Sequence, residues 1–203
     1  MKANCTKIWG FSLVKGFQSF IMSNLLLVFA AVVFVINHGS KTPIFIFIFF
    51  AEIFIVLLSF IACFNRQNHH AISGNKSSFS NKEWIGLLLT IIKTSLLSLG
   101  FTGIGIKFPS TIVILILVIN FMFALYSILF HTIALKLYKA NVYDEKSGVL
   151  DFTFKYIAIL FSGINFYVQT KLLNLPLVVN KIFAIVFVLF LLWQSILVIS
   201  VFE

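Results

Sequence analysis

Acidic side chains are scarce in this chain. Six Asp and Glu stand among 203 residues, against 15 Lys and Arg, for a formal net charge of +9. Charged residues make up only 10% of the sequence, where a soluble domain of this size carries about 25%. An ordinary water-exposed surface is therefore excluded. Cysteine occurs twice, as Cys5 and Cys63, which rules out a disulfide framework and a cysteine metal set. Histidine is also sparse. His69 and His70 are adjacent and do not share one helix face, and no third ligand stands near them, so no metal site and no cofactor are expected. No zincin motif, nucleophile elbow or pair of catalytic carboxylates is present, and Asp144 and Glu145 read as a solvated charge cluster. No enzyme activity is expected.

What is present is apolar surface. The chain is 61% hydrophobic with a mean hydropathy of +1.09 and 26 phenylalanines. That surface exceeds what one small core can hide. A lipid bilayer is the expected solvent and first partner. The fold class is all-α: a polytopic helical membrane protein forming a single integral-membrane domain over residues 1–203. Six spans are read at about 17–36, 44–64, 84–106, 111–134, 152–169 and 181–201, arranged as hairpins, and the fifth is the weakest of them. The alternating stretch Ile44-Phe45-Ile46-Phe47-Ile48-Phe49 also suits a strand, but the apolar run that contains it continues for about 20 residues, beyond strand length. Short polar turns with Pro43 and Pro109 close two of the hairpins.

Counting Lys and Arg on each side orients the spans. With the N-terminus inside and six spans, Lys2, Lys7, Lys15, Arg66, Lys76, Lys82, Lys136, Lys139, Lys146 and Lys155 fall inside. Lys41, Lys107, Lys171 and Lys181 fall outside. A four-span alternative that drops the third and fifth spans nearly abolishes this bias. Six spans with both termini cytoplasmic is the expectation, in a bacterial inner membrane. The basic balance fits loops facing anionic lipid; no dense basic run suggests direct nucleic-acid binding.

Two constellations stand out within the spans. Glu52 and Lys93 come out at depths that agree to within roughly 5 Å. Asn120 and Asn165 lie near the same depth. The expected cluster of Glu52, Lys93, Asn120 and Asn165 reads either as an ion relay or switch, or as structural glue between helices. The third span also sets Gly86, Thr90, Thr94, Ser98 and Thr102 four apart, on one helix face. Such a face allows close helix packing, either within the monomer or between protomers of a homo-oligomer.

The sizeable polar surfaces are the loops 65–83 and 135–151, both cytoplasmic in this arrangement, and they are the expected docking surfaces for a soluble partner. The sequence matches a non-enzymatic membrane subunit that acts as sensor or scaffold. The alternative is a small transporter or channel built on Glu52 and Lys93. A short, Lys/Asn/Phe/Ile-rich, Arg-poor multispanning chain resembles the membrane subunit of the Kiwa anti-phage system in size and character. That resemblance implies an inner-membrane sensor of infection that oligomerises and holds a soluble DNA-binding effector. It also implies four spans rather than six, and it carries over no functional residue, because no motif supports it.

Overall fold

The computed structural model describes residues 9–37, 41–66, 80–144, 147–173 and 175–202. Seven helices dominate it. They are α1 (Leu13–Ile36), α2 (Lys41–Cys63), α3 (Asn81–Ser98, prolonged by a 3₁₀ helix over Leu99–Ile104), α4 (Ser110–Leu129), α5 (His131–Tyr143), α6 (Val149–Leu172) and α7 (Leu177–Ser200). All except α5 are long and apolar enough to cross a membrane. The chain is a multi-pass helical membrane protein. Two short strands, β1 (Trp9–Phe11) and β2 (Phe64–Arg66), pair antiparallel and tie the start of α1 to the end of α2.

The bundle has two distinct ends. At one, called here the amino end, the Ser12 N–H donates to the Cys63 carbonyl at 3.0 Å, and Gly16 lies so close to Cys63 that a Cβ would sit 3.0 Å from the Ser59 carbonyl. At the other, the carboxyl end, the Asn37 side-chain amide donates to Lys107 O and to Ser110 Oγ, both at 2.8 Å. Phe34 and Ile44 pack there with Ile106, Val198 and Val201, and the Phe34 and Phe202 rings stand 6.2 Å apart. A second apolar cluster lies toward the amino end, where Leu58 and Ile61 of α2 meet Val168 and Leu172 of α6 and Ala184 and Phe187 of α7. Gly105, at φ 83°, closes the 3₁₀ helix before α4. That left-handed conformation suits glycine, which has no Cβ to clash.

Two expectations need correction here. The fourth span was read as running to Ala134, but α4 stops at Leu129. Phe130 (φ −120°, ψ 47°) leaves helical geometry, and α5 starts at once. Most of the expected loop 135–151 is therefore helix. Its inward positions are His131, Ala134, Leu135, Tyr138, Asn141 and Val142, the spacing of an amphipathic helix leaning on α4 and α6.

The second correction follows from the first. Asn120 meets the Leu160 carbonyl at 3.5 Å, and Ser127, further along α4, meets Asn165, further along α6. The two helices thus run in the same sense. Both finish at the amino end, where Tyr167 OH lies 2.6 Å from Ser19 Oγ of α1. Consecutive spans cannot do this without a return leg, and α5 supplies it. Its 13 residues reach roughly 20 Å, short of a hydrocarbon core of about 30 Å. The third hairpin is therefore α5–α6, rather than the fifth and sixth spans. Ser12 and Phe202, near the two ends of the described residues, therefore lie at opposite ends of α1.

Candidate functional site

α6 is the helix on which the polar groups converge. On its α4 side, Asn120 is completely buried. Its side-chain oxygen accepts from the Asn165 backbone N–H at 3.1 Å, and its amide donates to Ile116 O at 2.9 Å. The Asn165 amide in turn donates to Ser127 Oγ at 2.8 Å and to Phe123 O at 3.4 Å. The structure brings together Asn120 and Asn165, two members of the expected cluster.

It does not bring Glu52 and Lys93 together. Glu52 is half-buried on α2. Lys93 is exposed on α3, which packs on α6 and α4. No ion pair joins the two among the described residues. The depth arithmetic fixed only position along an axis, whereas pairing also needs neighbouring helices that turn those faces toward each other.

On the α3 side of α6 the small-residue face is used within the chain. Gly86, Thr90, Thr94 and Ser98 are buried, and Thr102 is exposed. A Cβ on Gly86 would lie 2.6 Å from Phe152 Cβ and 3.1 Å from the Thr153 nitrogen, so only glycine lets the helices approach this closely. Thr90 Oγ1 donates to Gly86 O at 2.9 Å, with Thr153 O of α6 at 3.3 Å. Further along, Thr111 Oγ1 of α4 lies 3.3 Å from Ser98 Oγ.

The same stripe, continued one turn toward the N-terminus, reaches Glu83. This residue is only 8% exposed and is held by two donors of α6, Lys155 Nζ and Tyr156 OH, each at 2.9 Å. The Lys155 ammonium also lies 5.7 Å and 5.5 Å from the ring centres of Phe152 and Tyr156. Beside it, Lys82 Nζ donates to Ser147 O at 3.2 Å. In the sequence Glu83 closes the polar loop 65–83 and Lys155 counts among the inner charges, with nothing local to pair them. The signal was present: Glu83 sits three residues before Gly86, on the face that the small residues mark.

A cavity of ≈ 200 Å³ opens where α5 leans on α6 and α4. Phe123, Tyr138, Phe154, Phe161 and Phe166 supply most of its wall, with Asn141, Ser162 and Asn165 as the polar positions. Tyr138 stacks on Phe166 with ring centres 3.9 Å apart. Burial and the neighbouring Tyr143 push the Tyr138 phenol above its usual value, so the hydroxyl is held neutral. At the start of α5, His131 Nε2 is buried without a hydrogen-bond partner. Burial, and then the Lys181 charge, push the imidazole below its usual value. Lys181 itself donates to the Ile128 carbonyl at the end of α4.

No group of three His, Cys, Asp or Glu that could hold a metal occurs among the described residues. His38, His69 and His70 lie outside them, as does most of the expected docking loop 65–83. What the arrangement can do chemically is hold helices in register and present a small aromatic cavity. No protein-family model, curated protein or solved structure matches this chain.

Proposed function

We propose that the chain is a non-enzymatic integral-membrane subunit, a sensor or scaffold that holds a soluble partner at the face of a bacterial inner membrane. The observation that supports this is where the intramembrane polar groups go. Asn120, Asn165 and Ser127 lock α4 to α6, and Glu83, Lys155, Tyr156 and Thr90 lock α3 to α6. A transporter needs polar groups strung toward a midplane site between broken helices. Here Asn120, Ser127, Thr90, Glu83, Lys155 and Tyr156 are engaged in bonds between helices, which hold α3, α4 and α6 together. The transport alternative rested on Glu52 and Lys93, which form no pair.

Lys15, Lys171 and Lys181 stand on the segments that meet at the amino end, and the positive-inside rule puts that end in the cytoplasm. The partner docks on the outward side of α5, where Lys136 and Lys139 are exposed, and on the polar segment 65–83. These cations select an acidic protein surface. A role in anti-phage defence is the biological setting that the resemblance to the Kiwa membrane subunit suggests. If the subunit oligomerises, it does so through a surface other than the small-residue face, which α6 already covers.

The test is purification from native membranes in mild detergent, with the mass and composition of the particle measured. A stoichiometric soluble partner is expected, lost from the Lys136→Glu/Lys139→Glu variant. A lone monomer that moves a solute across liposomes overturns the reading.

A further inference from the structure

The cavity between α5 and α6 has a feature that helix packing does not explain. Asn165, one of its lining residues, is 4% exposed, and its side-chain oxygen has no hydrogen-bond partner. The amide nitrogen of the same group is fully used, toward Ser127 and Phe123. A buried carbonyl without a donor is costly, and the great majority of such groups in proteins are found partnered.

The other polar groups on the wall do not meet it. Ser162 Oγ gives its hydrogen to Ala158 O at 2.8 Å, and the Asn141 amide donates to Leu137 O at 3.0 Å. The Tyr138 hydroxyl stands 3.8 Å from the position of a Cβ at Gly163 and makes no bond to Asn165 Oδ1. The remaining wall is aromatic and aliphatic. Apolar cavities of about 150 Å³ stay dry yet take up benzene. A lipid acyl chain would fill the apolar part and still leave Asn165 without a donor. α5 closes the site without a single fully buried residue of its own, so that wall is not sealed by packing.

We propose that this cavity is a binding site for a small, neutral, planar aromatic molecule carrying one N–H or O–H donor, of the indole or phenol class. The ring lies among Phe123, Phe154, Phe161 and the Tyr138–Phe166 stack, and the donor bonds Asn165 Oδ1. The volume of ≈ 200 Å³ takes a bicyclic ring of indole size and excludes much larger ligands. The neutral wall selects against charged analogues, because no ion on it would compensate their desolvation. The site does not depend on the partner-docking reading: it stands or falls on ligand binding to the purified chain alone.

The experiment uses the full chain in lipid nanodiscs, titrated calorimetrically with indole and with benzofuran, its near-isostere without the N–H. Empty nanodiscs are subtracted to remove partitioning into lipid. Saturable indole binding is expected, with benzofuran at least about tenfold weaker, the size of one lost hydrogen bond in a buried site. Ala134→Phe, which fills the cavity from the exposed helix α5 and leaves the Asn120–Asn165 contact alone, is expected to abolish indole binding. Equal affinity for the two compounds overturns the proposal in favour of a plain apolar crevice. Absence of saturable binding overturns it in favour of lipid or solvent filling. Indole binding that persists in Ala134→Phe overturns the location.

Discussion

His131 shows how a single side chain can set a condition on the whole molecule. It sits where α4 breaks and α5 begins, with Nε2 buried and unpartnered and the Lys181 charge nearby. Both influences disfavour the imidazolium, burial more than Lys181. In the unfolded chain the imidazole takes up its proton near pH 6.5. In the folded chain it does so only at lower pH. Between those values the unfolded state binds more protons, so stability falls as pH drops through that window. The expected outcome is a marked fall in thermal midpoint in detergent between about pH 7.5 and 5.5, with a clearly smaller fall in His131→Gln. Equal falls in the two proteins would place the pH sensitivity elsewhere. Lys93 makes the opposite case. It lies within an apolar run, exposed on α3 and with no ion pair among the described residues, the setting in which a long lysine stem reaches along apolar surface toward the interface.

The interface of α3 with α6 is the element on which local chemistry and packing agree most closely. The fourfold spacing of Gly86, Thr90, Thr94 and Ser98 predicts a close-packing face, and all four are buried. What they pack on was not legible, because Phe152 and Thr153 lie more than sixty positions later and no local pattern encodes that distance. Glu83 was half legible: it shares the stripe, but its partners Lys155 and Tyr156 come from the other helix. The break after Leu129 was not legible at all. The apolar run passes through Phe130 without a Gly or Pro, so hydropathy reads one long span where the backbone makes two helices. The interface is tested by Gly86→Leu. A Cβ at this position already meets the Phe152 Cβ and the Thr153 backbone, which cannot move aside as a flexible side chain would. Overpacking of this kind costs about 1–3 kcal/mol. The expected readout is a lower unfolding midpoint, together with faster protease cleavage in the segment before α3. Lys155→Met is expected to act in the same direction, by about 2–3 kcal/mol, since it leaves the Glu83 carboxylate buried with Tyr156 as its remaining donor. Wild-type stability and cleavage in both variants would mean that α3 is held by something other than this contact.

At the scale of the whole molecule, the short helix α5 decides the topology. Six full crossings return a chain to the face where it began, which is the arrangement the lysine count favours. The packing points to a split between the ends. The start of α1 is tied to the end of α2 through Ser12 and Cys63, while Phe202 sits by Phe34 near the far end of the same 24-residue helix. The two contacts lie about 30 Å apart along α1. Only an odd number of crossings connects them: the α5–α6 hairpin, whose first helix is too short to span, returns to the end where α4 finishes. The positive-inside rule then applies to a regrouped set of charges: Lys171 and Lys181, counted outside in the six-span arrangement, join Lys15 at the amino end, which leaves Lys41 and Lys107 at the other. The prediction is a split between the ends. In a background of Cys5→Ser and Cys63→Ser, a cysteine at Ser12→Cys reacts with a membrane-impermeant maleimide only after permeabilisation of spheroplasts. A cysteine at Phe202→Cys reacts in intact ones. Labelling of both positions under one condition would restore an even number of crossings and overturn the split.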